Sequence, residues 1–386
     1  MEALNELASD CLATARYGAG SLLLAQASGG NNSVKSRARD LLWVKASGKR
    51  LADVSATQGI VALRCSALKE IIRQEAFCSP LGAAEERRQK HEEIVQLMQQ
   101  AVLDPQQGRP SLESGFHSLL GDVVLHLHPV YLNAFSCMEG GHELLSEIAP
   151  RQFTWVEYAT PGWELTLQIY RVLENTVLSE EHTSFILENH GFVASGESAQ
   201  QVIMATEAFL TTARSFFGDL PAALFTAQPS TQAQEYAAQK LHSLYRECWG
   251  DQEAIVRPAR FGAFKEVESS LRLFDTSGSL VPDDVVYSCR EIRRCPLNGL
   301  RDLIGTFSAW PPDKLAVAVE GAGTVLLARN ALLLDAMEEM LLAQILVRTL
   351  IARRGSVRTL PAAEVEYLQS MESEKYRLMV CSSGAM

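Results

Sequence analysis

The segment that most restricts this chain is Gly-Asp-Val-Val-Leu-His-Leu-His-Pro at 121–129. It alternates in the manner of a strand, so Val124, His126 and His128 share one face and Val123, Leu125 and Leu127 the other. Two imidazoles at this i, i+2 spacing stand roughly 7 Å apart along the strand, near enough to converge on a single ion. A third nitrogen would complete an open site. The best candidate is His190, in SFILENHGFVASG at 184–196, which reads as two short strands around a tight Asn-His-Gly turn, followed by a helix from Ser198 to about Phe217. Gly191 behind it permits backbone geometry that turns a side chain inward. Three protein ligands leave a position free for substrate, the catalytic rather than the structural arrangement. Spacing alone does not separate this from a pair of satisfied or surface histidines. Glu113 adds weight: it follows the turn Arg109-Pro110-Ser111-Leu112, shortly before the strand, where a buried carboxyl beside a metal would have a raised pKa and act as a general base. His117, one helical turn further on, is a candidate supporting residue.

Elsewhere the chain reads as alternating helix and strand. Leu4, Leu7, Cys11 and Ala15 lie at helical spacing, SGGNNSVK at 28–35 is a glycine-rich loop entering a strand, and LLWVKASGKRLADV at 41–54 is a strand with a Ser47-Gly48 turn. A charged helix from Glu85 to Met98 ends at DPQQGRP. The proline-bearing run at 218–232 is the expected boundary, giving a catalytic domain at 1–225 and a second α/β domain at 226–386. Within the second, a helix at 234–249 precedes a strand–turn–strand at 314–328 and a long helix to about Ala352. Aligned without gaps, 186–208 and 318–340 agree at five of 23 positions (Glu188/Glu320, Gly191/Gly323, Val193/Val325, Ala199/Ala331, Glu207/Glu339), which together with the shared element order suggests a degenerate repeat. Ala322 stands where His190 stands, so this copy is expected to bind no metal.

A formal charge of −11 and a pI near 5.3 argue against nucleic acid or an anionic membrane as partner. No apolar run approaches the ~20 residues of a membrane span, and the acidic start MEALNELASD does not resemble a secretory signal, so the expected compartment is the cytoplasm. Eight cysteines without a CxxC pair are expected to be reduced packing residues. No GxGxxG follows a strand, so a fused dehydrogenase domain is not expected within this chain.

The ordered blocks GGNNSVK, KASGKRL, PSLE, HLHP and ENHG resemble the class II aldolase and adducin family, and their forms are most similar to the long type of rhamnulose-phosphate aldolase, including the aldolase half of its dehydrogenase fusions. Two C-terminal segments, LVPDDVV at 280–286 and EYLQSMESEKYRL at 366–378, extend that resemblance more weakly. It implies an α/β, three-layer fold with a central, mainly antiparallel sheet flanked by helices. It also implies one divalent metal per chain, zinc first and manganese, cobalt, nickel or iron as alternatives, on His126, His128 and His190, with Glu113 as acid/base. The substrate's phosphate would meet Gly30, Asn31, Ser33, Ser47, Gly48 and Ser111. The expected activity is aldol cleavage or formation of a ketose, as a ketose 1-phosphate, through a metal-stabilised enediolate, in a homo-oligomer. The rival readings are an epimerase, decarboxylase or dehydratase on the same scaffold and, from another class, a non-catalytic adducin-like module. Leu112 replaces the second serine of the family's P-S-S-E segment, removing a hydroxyl from the expected phosphate site.

Overall fold

The computed structural model describes residues 2–76, 84–175, 184–250, 253–269, 278–289, 291–307 and 312–383; His182 and Cys78 lie outside them. Seven strands form the larger sheet: β1 (Asn31–Ser36), β2 (Leu41–Lys45), β3 (Ile60–Arg64), β4 (Val123–Leu127), β5 (Thr154–Val156), β6 (Ser184–Leu187) and β7 (Gly191–Gly196), in the order β3-β2-β1-β4-β7-β6-β5. All neighbours are antiparallel except β5 and β6. β4 is a central strand buried on both faces, as its unbroken apolar and histidine sequence requires. Val124 packs with Phe116, Leu165 and Phe185 on one side, while Val123, Leu125 and Leu127 join the main core on the other. The α/β class and the mainly antiparallel, helix-flanked sheet are therefore as the sequence led us to expect.

A smaller sheet contains β8 (Ile255–Pro258), β9 (Ile292–Cys295), β10 (Lys314–Val319) and β11 (Gly323–Ala328), in the order β8-β11-β10-β9. That order mirrors β4-β7-β6-β5, with the same senses of pairing. The register agrees as well. Val123 pairs with Gly196 and Ile255 with Ala328; Leu187 pairs with Gly191 and Val319 with Gly323. Each of these counterparts lies 132 positions further on, and helices Ala199–Phe217 and Ala331–Ile351 begin at the same offset. Even the caps match, since Ser198 accepts from the Gln201 N–H and Asn330 from the Leu333 N–H. The likeness suggested by five identities extends to strand order, register and capping.

The long helix Ala331–Ile351 is apolar on nearly every side and correspondingly buried. It lies against helix Val130–Ser136, which follows β4, and against β11, so one continuous core runs through both sheets. The last helix, Glu372–Ser383, packs against it and returns the C-terminal chain to the mouth of β4.

Candidate metal centre

Strand pleat and a hairpin turn bring three imidazoles together. His126 is the next-to-last residue of β4, opposite Val193 of β7, and His128 follows one residue past the strand. His190 sits in the β6–β7 turn, where the positive φ is carried by Asn189 (46°); its side-chain amide donates to the carbonyls of Leu280 (2.9 Å) and Arg358 (3.0 Å). Gly191 is needed for room rather than for its backbone angle. A Cβ there would stand 2.5 Å from the Leu127 carbonyl oxygen, 2.8 Å from the His128 ring and 3.0 Å from that of His126. The three rings lie 4.9–5.2 Å apart between centroids, and one nitrogen from each falls within 4.8 Å of the others.

Their outer contacts determine which nitrogens face inward. His126 Nδ1 lies 3.0 Å from the Phe192 carbonyl oxygen, which can only accept, so that nitrogen carries the proton. His128 Nδ1 faces Asp283 Oδ2 at 3.2 Å, not aligned as a hydrogen bond, and the nearby negative charge favours the tautomer with its proton on Nδ1. In the neutral rings Nε2 is then a bare lone pair on both histidines, and these two atoms face one another at 3.1 Å. Opposed lone pairs repel unless a proton or a cation lies between them. Burial first, and then the neighbouring histidines, hold His126 well below its usual range, and burial pushes His190 down to about 3, so a proton is the poorer solution. A tetrahedral ion with nitrogens at about 2.0–2.1 Å spaces them by roughly 3.3 Å, close to what is found. The donor set thus fits a divalent metal.

Glu113 closes the fourth side. Its Oε1 is 3.3 Å from His190 Nε2 and its Oε2 3.6 Å from His126 Nε2. Oε2 also accepts from the Asn31 amide at 2.6 Å, whereas Oε1 is buried without a hydrogen-bond partner. Burial pushes this carboxyl up to about 7, against the opposing influence of His128 and Arg377, placing it where a carboxyl both gives and takes a proton near neutral pH.

A pocket opens over these groups. Gly30, Asn31, Ser47, Gly48 and Ser111 line it, with Leu112, Lys45, Asp283 and Arg377. Ser33 does not line it: its hydroxyl lies 2.8 Å from His117 Nδ1, two residues deeper along β1. His117 accordingly supports the β1 strand through Ser33, and stacks on Phe116. Lys45 is buried, and its ammonium is committed to the carbonyls of Ser28 and Lys49, bracing the Ser47–Gly48 turn. Tyr131 and Tyr158 point away from the pocket: the Tyr131 hydroxyl accepts from the Leu220 N–H and that of Tyr158 donates to Glu364. His91 is buried against Ser373, and His142 stacks on Trp155.

Sequence reasoning did not select Asp283 or Arg377. Both arrive from the C-terminal part, within the two segments, 280–286 and 366–378, that carried only a weak resemblance.

Comparison with known proteins identifies the family. Residues 10–217 match the model of the Class II Aldolase and Adducin N-terminal domain, and the chain belongs to that family, whose members include aldolases and decarboxylases. Among curated proteins it is 26% identical over 200 residues to the uncharacterized oxidoreductase YuxG of Bacillus subtilis, spanning 50% of this chain and 27% of that one. It is 32% identical over 133 residues to the 3-oxo-tetronate 4-phosphate decarboxylase of Escherichia coli, spanning 31% of this chain and 61% of the relative. The chain thus covers less than two thirds of either. Among solved structures, the N-terminal class II aldolase domain of a conserved protein from Thermoplasma acidophilum aligns with a TM-score of 0.45 at 19% identity, covering 54% of this chain and 92% of that one. No helix among the described residues is long and apolar enough to cross a membrane.

Proposed function

We propose that this chain is a metal-dependent lyase that makes or breaks a carbon–carbon bond beside the carbonyl of a ketose 1-phosphate. The observation that carries the reading is the pair of Nε2 lone pairs facing each other at 3.1 Å beneath a pocket that also holds Glu113. His126, His128 and His190 would hold the ion, with zinc the first expectation for three neutral imidazoles and an open position. When bound, such an ion supplies Lewis acidity that draws electron density from a carbonyl.

The chain's own residues supply the rest. Glu113 exchanges a proton through Oε1, while Asn31 fixes Oε2 and so aims the free oxygen into the pocket. Gly30, Gly48, Ser47 and Ser111 offer backbone N–H groups and small hydroxyls suited to a phosphate. Ser33 supports that loop from behind through His117. Leu112 presents an apolar wall where a hydroxyl was expected, narrowing the anion's contacts to the glycine turns and the two remaining serines.

A second reading, decarboxylation of a 3-oxo sugar acid phosphate, is favoured by the 32% identity to the Escherichia coli decarboxylase. Both reactions leave negative charge beside a carbonyl, so the same groups serve either. The deciding experiment incubates metal-loaded protein with ketose 1-phosphates and with 3-oxo sugar acid phosphates. Release of a triose phosphate and an aldehyde is expected; carbon dioxide alone would select the second reading. Full metal occupancy with no turnover on any substrate would overturn both in favour of a non-catalytic module.

A further inference from the structure

We propose that Asp283 is the positioning residue for His128, so that the part of the chain beyond the family match completes the metal centre. The inference rests on the metal reading above. Asp283 lies in the first turn of helix Pro282–Tyr287 and is 2% exposed. Its two oxygens are divided. Oδ1 accepts from the Arg377 guanidinium at 2.8 Å, and Oδ2 faces His128 Nδ1 at 3.2 Å. A carboxylate serving only to neutralise Arg377 could give that fork both oxygens; here one is withheld and turned to the imidazole. Arg377 gives its other arm to Glu374, at 2.9 Å, so its contact with Asp283 does not depend on Glu374 alone.

Space has been cleared for this contact. A Cβ on Gly29 would stand 2.4 Å from Asp283 Oδ2 and 2.9 Å from His128 Nδ1, although the backbone of Gly29 is not in the left-handed region. Glycine at that position answers to the closeness of the carboxylate and the ring together with that of the Gln26 carbonyl oxygen, at 2.9 Å. The loop around it is clamped from the same side: the Ala27 N–H donates to Glu339 at 2.7 Å, and the Ser28 hydroxyl bonds that of Tyr287.

The chemical consequence concerns the opposite nitrogen. A carboxylate at Nδ1 holds the imidazole in the tautomer whose Nε2 is a lone pair, restrains the ring's rotation and strengthens its donation to an ion. His126 obtains the same restraint from the Phe192 carbonyl, a neutral partner within its own sheet; Asp283 Oδ2 approaches His128 Nδ1 as a charged contact at 3.2 Å that is not aligned as a hydrogen bond, and no carboxylate is paired with His190 Nδ1. Asp283 is thus the charged support of the triad.

The test measures zinc and cobalt affinity by competition with a chromophoric chelator, alongside the melting temperature of the metal-free protein. Asp283→Asn is expected to weaken metal affinity about 10–100-fold. Because it also strips Arg377 of a partner, the charge-balanced double variant Asp283→Asn/Arg377→Met is made in parallel and is expected to show the same loss. Glu374→Gln disturbs Arg377 without touching His128 and should leave affinity within about threefold of wild type, separating positioning from general support of the helix. Gly29→Ala, which crowds Asp283 away, should weaken affinity as well. Unchanged affinity in both Asp283 variants, with melting temperature alone reduced, would show a purely structural ion pair and overturn the proposal. A wild-type protein that binds no metal would instead overturn the reading of the site on which it rests.

Discussion

The β4–β7 unit and the β8–β11 unit share strand order, register and helix caps, yet only the first brings histidines together. At the offset of 132, His126 corresponds to Pro258, His128 to Arg260 and His190 to Ala322. The second unit instead carries an ion cluster around one buried carboxylate. Arg260, at the His128 position, pairs with Glu338, which is fully buried, and Arg257 pairs with the same carboxylate. Glu338 in turn stands at the position of Thr206, whose hydroxyl merely bonds back to the Val202 carbonyl. The same scaffold therefore supports either an ion-binding triad or a charge cluster. What separates them is a few side chains on one strand end, one turn and one helix.

Several measurements would sharpen or break that contrast. The largest effect expected is on turnover in the first unit: Glu113→Gln should slow catalysis about 10²–10⁴-fold while metal content is retained, and a variant of near wild-type rate would remove Glu113 from the chemistry. Next comes the second unit's cluster. Glu338→Gln leaves two guanidinium groups facing a buried neutral side chain and should cost about 3 kcal/mol by denaturant unfolding, toward the low end of the usual ~3–5 kcal/mol for breaking a buried pair because Arg260 is 42% exposed. Thr206→Ala, its counterpart, should cost about 1 kcal/mol. Equal costs would mean that the two positions are less different than their contacts imply.

A subtler difference is expected on acidification. Burial lowers the pKa of His91 to about 4 and of His190 to about 3, and holds His117 and His126 well below the ordinary value of 6.5. The unfolded chain therefore takes up protons near 6.5 that the folded chain refuses, so this stability is present above pH 6.5 and is lost as pH falls from there toward 4. Glu113, raised to about 7 by burial, works in the opposite direction, its contribution being lost as pH rises from about 4.5 to 7. Asp284, raised to about 6, and Glu374, also raised, act with Glu113, so four groups oppose three and the net expectation for the metal-free protein is acid lability. All four histidines belong to the half containing the first unit. Amide exchange at pH 5, corrected for its intrinsic rate, should accelerate in β4 and β7 relative to pH 7 more than in β10 and β11. Smallest of all are the matched caps: Ser198→Ala and Asn330→Ala should each cost about 1 kcal/mol, with Asn330 the larger because its bond is 2.9 Å against 3.4 Å for Ser198.

Much of this was legible before any coordinates, and for physical reasons. The alternation of 121–129 specifies both faces of β4, so the pairing of His126 and His128 follows from local geometry. The Asn-His-Gly turn was equally readable, although the roles of its neighbours were exchanged: Asn189 carries the left-handed angle and Gly191 provides the clearance. Ser33 was grouped with the pocket because it lies in the glycine-rich block, whereas strand geometry carries it deeper, to His117. Asp283 and Arg377 could not be reached by periodicity or spacing. They meet His128 only because the long helix Ala331–Ile351 folds the C-terminal part across the first sheet, a consequence of tertiary packing with no local signature.

The central claim is a single metal site built from the first unit's histidines, and elemental analysis after dialysis against zinc tests it most directly. One ion per chain is expected in the wild type and in Ala322→His, since Pro258 and Arg260 still occupy the second unit's equivalents of His126 and His128. None is expected in His128→Ala. A wild-type chain without zinc, a His128→Ala chain that retains one ion, or an Ala322→His chain that gains a second would each contradict the account.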